Sequence, residues 1–332
     1  MPDPSDEQQL ADKKNEPELK SFRLQLRRQP KIRRVDNFLS QHYGAYSRNF
    51  FLGLIRGREL TVNGQHVAAN YRLKNGDIIE FQAPVQPDRI IQPQDIPLDI
   101  LYEDAEIFVI NKPPGIICHP GKNNRLDTLA NAFIFHMHGM TTEKHNPGIV
   151  HRLDVDTTGA MVVAKNPDAH TYLARQFEKR LVHKKYIALV RGRIKRRFGQ
   201  IDIPIGYNPR RWGLMSVADD ARSVKPALSI YHVIERFKGY TLVSVVLKTG
   251  RTHQIRVHFE SIAHPLIGEA YYRGGLGPDP LEELVPRLAL HAWKLQITHP
   301  TTHKPMEFNA PLPDDFNTVL AHLRAQRDAA RP

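Results

Sequence analysis

The chain has 332 residues, 41% of them apolar and 25% charged, which predicts about two globular domains and argues against an intrinsically disordered protein. Cys118 is the only cysteine, which excludes an intrachain disulfide and a cysteine-based zinc site, and the absence of any run of about 18 apolar residues argues against a membrane span. The formal net charge of +12 favours a polyanionic partner, although charge does not distinguish RNA from DNA, or binding from catalysis.

Residues 1–31 are polar, mixed in charge and without apolar periodicity, so we expect a flexible N-terminal tail. The first residues carry acidic side chains and lack the apolar segment of a signal peptide. Acidic residues are also uncommon in transit peptides, so we expect a cytoplasmic protein.

Residues 32–83 predict a small compact unit of two helices followed by short strands. Apolar residues between positions 35 and 42 fall at helical spacing, and Ser47 is a suitable N-cap for a second amphipathic helix. The pair Asn63-Gly64 predicts a tight turn between strands. Four prolines within residues 84–97 then mark an interdomain linker.

Residues 98–330 predict a larger domain in which strands dominate. Apolar strand patterns occur at residues 107–110, 160–164, 186–190 and 240–247, and helical patterns near 128–136, 169–180 and 314–327. Because strands and helices do not alternate regularly, we predict an α+β fold with a largely antiparallel mixed sheet.

Four segments of this domain are unusually polar for their position among strands, namely residues 151–159, 184–186, 249–258 and 287–292. The motifs HExxH, GxSxG and GxxxxGK[ST] are absent, which argues against a zincin, a hydrolase with a nucleophile elbow and a P-loop nucleotidase. An isolated carboxylate among arginines remains, at Asp154. From the residues alone, a structural ion pair explains it as well as catalysis does, and a metal shared with Asp156 is the weaker alternative.

The small unit resembles an S4 RNA-binding domain. The matching segments are RVDNFL at 34–39, SR at 47–48, IRG at 55–57, TVNG at 61–64 and GD at 76–77. The resemblance implies recognition of RNA shape through phosphate contacts. The candidate contact residues are Arg33, Arg34, Arg48, Arg56 and Arg58.

The larger domain resembles the RluA-type pseudouridine synthases. The matching segments are NKP at 111–113, HRLD and DTTG within 151–159, GRTHQIRVH at 250–258, HPLIG at 264–268 and LHA at 290–292. With the S4-like unit and linker, the resemblance covers residues 33 to about 311. The chain departs from the family pattern at Glu269, where aspartate is usual, and at residues 122–124.

The resemblance implies that Asp154 is the catalytic carboxylate, acting as a nucleophile at C1′ of the target uridine or as a base at C2′. It also implies that Arg251 pairs with Asp154 and that Tyr186 stacks on the uracil and assists with the C5 proton. Leu290 and Ile255 would contact the substrate in the pocket. No redox cofactor, energy source or metal is implied.

The resemblance also implies an RNA substrate whose target uridine is flipped out, with Arg152 filling the vacated space. Basic residues at 191–197 and at Arg210, Arg211 and Trp212 would follow phosphates. The S4-bearing layout favours 23S-type large-subunit ribosomal RNA or its precursor as the partner, without an obligatory protein partner. The alternatives are a transfer RNA pseudouridine synthase, a non-catalytic RNA-binding protein and an N-glycosidase that releases uracil.

Overall fold

The structure is a computed structural model that describes residues 19–27, 29–30, 32–43, 46–84, 91–121, 124–137 and 147–329. The described chain divides into two compact units, with the boundary between Ile91 and Gln92. This boundary falls within the segment predicted as a linker. Residues 1–18 of the predicted tail and residues 85–90 of the predicted linker lie outside the described residues.

The N-terminal unit packs two helices on an antiparallel sheet. Its elements are β1 Leu19–Gln25, α1 Val35–His42, α2 Arg48–Arg56, β2 Leu60–Val62, β3 Gln65–His66 and β4 Ile78–Pro84, with strand order β1-β4-β2-β3. The helix α2 begins after Ser47, whose hydroxyl accepts the N–H of Phe50 at 3.2 Å. Asn63 and Gly64 have φ of 54° and 74°, as a tight hairpin turn requires.

The strand β1 corrects the prediction of a flexible tail that extends to residue 31. It pairs antiparallel with β4 along its whole length, and the ring of Phe22 stacks on Phe81 with centroids 4.9 Å apart. β1 is the edge strand of its sheet and has mostly exposed side chains. Only two of its residues, Phe22 and Leu24, point inward, and two apolar residues are too few to indicate a strand in a charged sequence.

The C-terminal unit is built on a nine-stranded sheet with helices on both faces. Its helices are α3 Leu129–His136, α4 Pro167–Glu178, α5 Gln254–Ser261 and α6 Asp314–Ala329, with a 3₁₀ turn at Pro280–Glu283. Its strands are β5 Ile100–Glu103, β6 Ile107–Lys112, β7 Thr158–Ala164, β8 His183–Arg191, β9 Phe198–Asp202, β10 Ile205–Tyr207, β11 Met215–Ser216, β12 Arg222–Lys225, β13 Leu228–Phe237, β14 Tyr240–Leu247, β15 Leu290–Thr298 and β16 Pro305–Asn309.

The main sheet has the order β5-β6-β7-β15-β8-β14-β13-β9, and β16 pairs with β15. Every pairing is antiparallel except β7 with β15, which is parallel. The strands β10, β11 and β12 form a separate small sheet. The predicted α+β class with a largely antiparallel mixed sheet is confirmed.

The two faces of the main sheet bury different cores because alternate residues of a strand point to opposite sides. On one face, Phe108 of β6 and Tyr186 of β8 share a cluster with Phe133 of α3 and Phe259 of α5. On the other face, the strands pack against α4 and α6. Tyr186 therefore faces the same side of the sheet as α5, and the candidate site lies on that side.

Candidate active site

One cavity of the C-terminal unit gathers residues from segments that are far apart in the sequence. Its volume is about 440 Å³. All six site residues predicted for the larger domain line it, namely Arg152, Asp154, Tyr186, Arg251, Ile255 and Leu290. The polar segments at 151–159, 184–186 and 249–258 thus meet at one place, and Leu290 adds the start of β15.

A buried lysine holds the loop that carries Asp154 in place. The ammonium of Lys112, at the end of β6, donates to the carbonyl oxygens of Pro113, Val155 and Thr157 at 2.9, 2.6 and 3.1 Å. Burial lowers the pKa of Lys112 to about 8. The N–H of Thr157 closes a turn on the carbonyl of Asp154 at 3.1 Å, so the carboxylate is presented by a rigid loop.

The loop then enters β7 at a point where only glycine fits. Gly159 has φ of +115°, and a Cβ there would lie 2.3 Å from the carbonyl oxygen of Ala292 on β15. The adjacent Thr158 hydroxyl donates to Nδ1 of His291 at 2.8 Å, since Nε2 of that ring donates to the carbonyl of Ala310. These contacts tie the loop that carries Asp154 to β15.

The cation that meets Asp154 is Arg256, which corrects the prediction that Arg251 would be its partner. Nη1 of Arg256 lies 3.4 Å from Oδ2 of Asp154. A second edge of the guanidinium donates two hydrogen bonds of 2.7 Å to the buried carboxylate of Glu269. Arg251 lines the cavity, but its Nε donates to the carbonyl of Pro226 at 3.0 Å.

Sequence reasoning missed Arg256 and Glu269 as a pair, although Arg256 lies within one matched segment and Glu269 directly follows another. Arg256 lies in the first turn of α5, and His253 is the residue before that helix, with φ of 53°. Burial raises the pKa of Glu269, but hydrogen bonds from Arg256 outweigh it and leave the pKa below its usual value. The signal that could have identified Arg256 was its position on a helix, and not its place in a motif read as extended chain.

Aromatic side chains lie against the guanidinium of Arg256. Its guanidinium carbon lies 5.1 Å from the ring centroid of Tyr272, whose hydroxyl is within 2.7 Å of Nδ1 of His253. The N–H of Met215 donates to the same hydroxyl at 2.8 Å. The guanidinium therefore has little freedom to move, and it presents one edge to Asp154.

Tyr186 and Leu290 form an apolar wall of the cavity. Both are buried, and they lie on neighbouring strands of the main sheet. Burial, with the nearby charge of Asp154, raises the pKa of the Tyr186 hydroxyl, which therefore stays protonated at neutral pH. Arg152 is exposed at the rim and donates to the Thr252 hydroxyl at 3.2 Å.

A second group of residues lines the cavity around His151. Its ring stacks on Phe177 with centroids 4.5 Å apart, and Nε2 accepts the N–H of Val162 at 3.1 Å. Burial and the charge of Lys184 lower the pKa of His151 to about 3, so the ring is neutral. The ammonium of Lys184 lies 5.8 Å from the centroid of the Phe177 ring.

In the N-terminal unit, two of the five predicted contact residues meet at one buried carboxylate. Arg34 donates to both oxygens of Asp36 at 3.0 Å, and Nε of Arg48 donates to Oδ2 at 2.8 Å. Burial raises the pKa of Asp36, but these hydrogen bonds outweigh it and the pKa lies below its usual value. Arg56 is exposed at the end of α2.

The parts of the chain that the structure describes contain no group of three His, Cys, Asp or Glu side chains that could hold a metal ion. No helix within those same ranges is both long and apolar enough to cross a membrane.

Comparison with known proteins gives matches for both units. The family model for RNA pseudouridylate synthases matches residues 106–261, and the S4 domain model matches residues 33–79. Ribosomal large subunit pseudouridine synthase D of Pasteurella multocida is 40% identical, over 88% of this chain and 91% of that protein. The protein of the same name from Nitrosomonas europaea is also 40% identical, over 88% and 84%.

A further relative is the uncharacterized RNA pseudouridine synthase YlyB of Bacillus subtilis, at 39% identity over 89% of this chain and 95% of that protein. Among solved structures, human RNA pseudouridylate synthase domain containing 4 superposes with a TM-score of 0.54 at 28% identity. That superposition covers 68% of this chain and 92% of the human chain.

Proposed function

The chain belongs to the RNA pseudouridine synthase family, and we propose that it converts uridine to pseudouridine in large-subunit ribosomal RNA, with Asp154 as the catalytic carboxylate. The observation that carries the proposal is the position of Asp154. It is a part-exposed carboxylate on a cavity wall, held by a rigid loop and met by a buried guanidinium.

The reaction breaks the N1–C1′ bond of uridine, turns the detached uracil and joins C5 to C1′. Asp154 acts either by attack on C1′ or by removal of the C2′ proton, and both roles need an ionised carboxylate. Arg256 lies close enough to orient that carboxylate. No change of oxidation state occurs, so the isomerisation needs no redox partner.

The cavity walls fit a detached base. Tyr186 and Leu290 give an apolar surface for the uracil ring, with Ile255 beside them. The Tyr186 hydroxyl stays protonated at neutral pH, so it can donate a hydrogen bond to the detached uracil, but it does not itself take up the proton that C5 loses when the new bond forms. The uracil is thereby retained while it turns.

A uridine within folded RNA must leave its helix to reach Asp154, at a cost of a few kcal/mol. Arg152 is an exposed cation two residues before Asp154, at the rim of the cavity. It is therefore placed to fill the space that the flipped base leaves. Its hydrogen bond to Thr252 holds it at that rim before RNA arrives.

The preference for large-subunit ribosomal RNA rests on the relatives' names and on the S4 domain. Arg34 and Arg48 are half-exposed cations that Asp36 holds in place, and with Arg56 they supply phosphate contacts. A second RNA-binding unit raises the effective concentration of the catalytic domain on an extensive folded RNA. We place this action in the cytoplasm, with the ribosomal substrate.

The test compares unmodified large-subunit ribosomal RNA with unmodified bulk transfer RNA, each incubated with the wild type and with Asp154→Asn. We expect pseudouridine in ribosomal RNA only, and none with the variant, whose folding and RNA affinity should stay near those of the wild type. Chemical labelling of pseudouridine followed by sequencing detects the product.

Modification of transfer RNA alone would contradict the ribosomal substrate and leave the chemistry intact. Release of free uracil would identify an N-glycosidase instead. Activity of Asp154→Asn near that of the wild type would contradict the catalytic assignment.

A further inference from the structure

Lys184 is a cation on the cavity wall with no anionic partner. It lies on β8 two residues before Tyr186, and its ammonium faces the Phe177 ring. A Cβ on Gly250 would lie 3.1 Å from Nζ, so the absence of a side chain at Gly250 leaves room for the ammonium. Within the described parts of residues 19–329, the Nζ atom of Lys184 forms no ion pair and donates no hydrogen bond.

Arg180 and Lys248 also line the cavity but are exposed to solvent, whereas Lys184 is half-buried. The three other arginines of the cavity wall have polar partners. Arg256 is paired with two carboxylates, and Arg251 and Arg152 each donate to an oxygen of a neighbouring residue. Burial lowers the pKa of Lys184, which shows that its charge is held there at a cost. A half-buried cation kept without an anionic partner at a substrate cavity is a site for an anion that arrives with the substrate.

The position of Lys184 relative to Tyr186 suggests which anion this is. Residues two apart on a strand point to the same face and are separated by about 6.6 Å. Both side chains line the same cavity, so Lys184 is placed to meet a phosphate group beside a base that lies against Tyr186. The ammonium is a point charge with three donors, a good match for a phosphate oxygen.

We propose that Lys184 binds one of the two phosphate groups that flank the target uridine while its base lies against Tyr186. This rests on the proposed function, and it assigns one more substrate contact within the same cavity. Lys184 anchors the backbone of the flipped nucleotide, so the sugar stays in position at Asp154 when the N1–C1′ bond is broken.

The first experiment compares Lys184→Met with Lys185→Met in the full-length protein. Lys185 is the matched control because it points to the other face of β8, where its ammonium lies 5.2 Å from the centroid of the Trp293 ring. For Lys184→Met we expect KM to rise by roughly 10- to 100-fold, the range for loss of one charge-assisted hydrogen bond. The slope of log KM against log salt should flatten by about 0.7–0.9.

For Lys185→Met we expect KM within about twofold of the wild type, and Lys184→Arg should recover part of the loss. Equal KM values and equal salt slopes for the two methionine variants would overturn the proposal. If the wild type forms pseudouridine in the same assay, that result leaves the proposed function standing.

The second experiment removes the phosphate charge instead of the lysine. A methylphosphonate is placed on the 5′ or the 3′ side of the mapped target uridine in a substrate RNA fragment. One of the two substitutions should raise KM for the wild type and have no further effect on Lys184→Met. Two results would contradict the proposal. In one, neither methylphosphonate raises KM for the wild type. In the other, each methylphosphonate raises KM for Lys184→Met by the same factor as for the wild type.

Discussion

The two units hold arginine and carboxylate groups in opposite arrangements. In the N-terminal unit, the fully buried Asp36 holds two guanidinium groups whose side chains are 44% and 49% exposed. In the C-terminal unit, the guanidinium of Arg256 is buried with Glu269, and the exposed member is Asp154, at 28%. One arrangement presents cations to solvent, whereas the other presents a carboxylate.

Under the proposed function, the difference follows from which charge meets the RNA. Cations that contact phosphates need solvent access and a fixed direction, and a buried carboxylate supplies the direction without neutralising the surface. A reactive carboxylate needs an oriented charge at a cavity, and a buried cation supplies that orientation. In both arrangements the buried member positions the exposed member.

The largest effect that we expect comes from removing the buried cation at the active site. Arg256→Met leaves the carboxylate of Glu269 buried without a charged partner and should lower the free energy of unfolding by about 3–5 kcal/mol. It also removes the group that orients Asp154, so the single-turnover rate should fall by roughly 100-fold or more. Urea unfolding and single-turnover assays measure the two effects.

A second variant separates stability from catalysis. Arg256→Met with Glu269→Met replaces the ion pair by apolar side chains and should restore much of the stability, but not the rate. Arg251→Met is the matched control from the same segment and should affect stability much less. Recovery of the rate in the double variant would show that Arg256 acts only through folding.

A smaller effect is expected from substitution of Tyr186, since the protein fold should not be affected. This variant tests whether the reaction at Asp154 needs the Tyr186 hydroxyl. Tyr186→Phe keeps the ring and removes the hydroxyl, so RNA affinity should be unchanged while the single-turnover rate falls by about 100-fold. Because burial, together with the charge of Asp154, raises the pKa of this hydroxyl, the wild-type rate should show no loss from its ionisation up to pH 9. Weaker RNA binding at an unchanged rate would give Tyr186 a purely structural role.

The smallest effect is expected at the buried carboxylate of the N-terminal unit. Asp36→Asn frees Arg34 and Arg48 and should weaken RNA binding by about 3- to 10-fold, with the rate at saturating RNA unchanged. The matched control is Asp77→Asn, since Asp77 is also buried but bonds to Asn63 and Tyr71 instead of arginine. Equal losses of affinity in both variants would show that only folding of the unit matters.

The same carboxylate predicts a dependence of stability on pH. The pKa of Asp36 is lower in the folded protein than in the unfolded chain, so its contribution is present at neutral pH. The unfolded chain takes up a proton as the pH falls through about 4, and the contribution is lost in acid. Urea midpoints between pH 7 and pH 3 should fall less steeply for Asp36→Asn than for the wild type.

The sequence motifs located the cavity but not all of its contacts. Asp154, Tyr186 and Leu290 came from short motifs in the correct order, and such motifs identify residues without giving their neighbours. The predicted pairing of Arg251 with Asp154 is wrong because the chain turns into α5 at Gln254. That turn directs the guanidinium of Arg256 into the cavity, and no linear pattern reports it.

The fold shows the same division between local and long-range information. The α+β class and most elements follow from apolar periodicity, and α4 begins with the cap at Asn166 and the following Pro167. The insertion of β15 between β7 and β8 does not follow, because pairing between distant segments leaves no local pattern. β1 was missed because its pairing partner, β4, lies far along the chain.

The central position of β15 sets a condition on synthesis of the protein. This strand, residues 290–298, separates β7 and β8, and it supplies the wall residue Leu290 and the carbonyl beside Gly159. Such long-range pairing forms slowly and cannot precede translation of the strand itself. We therefore expect a nascent chain that lacks β15 to carry Asp154 without a closed pocket, so that modifying activity cannot arise before this strand has been synthesised.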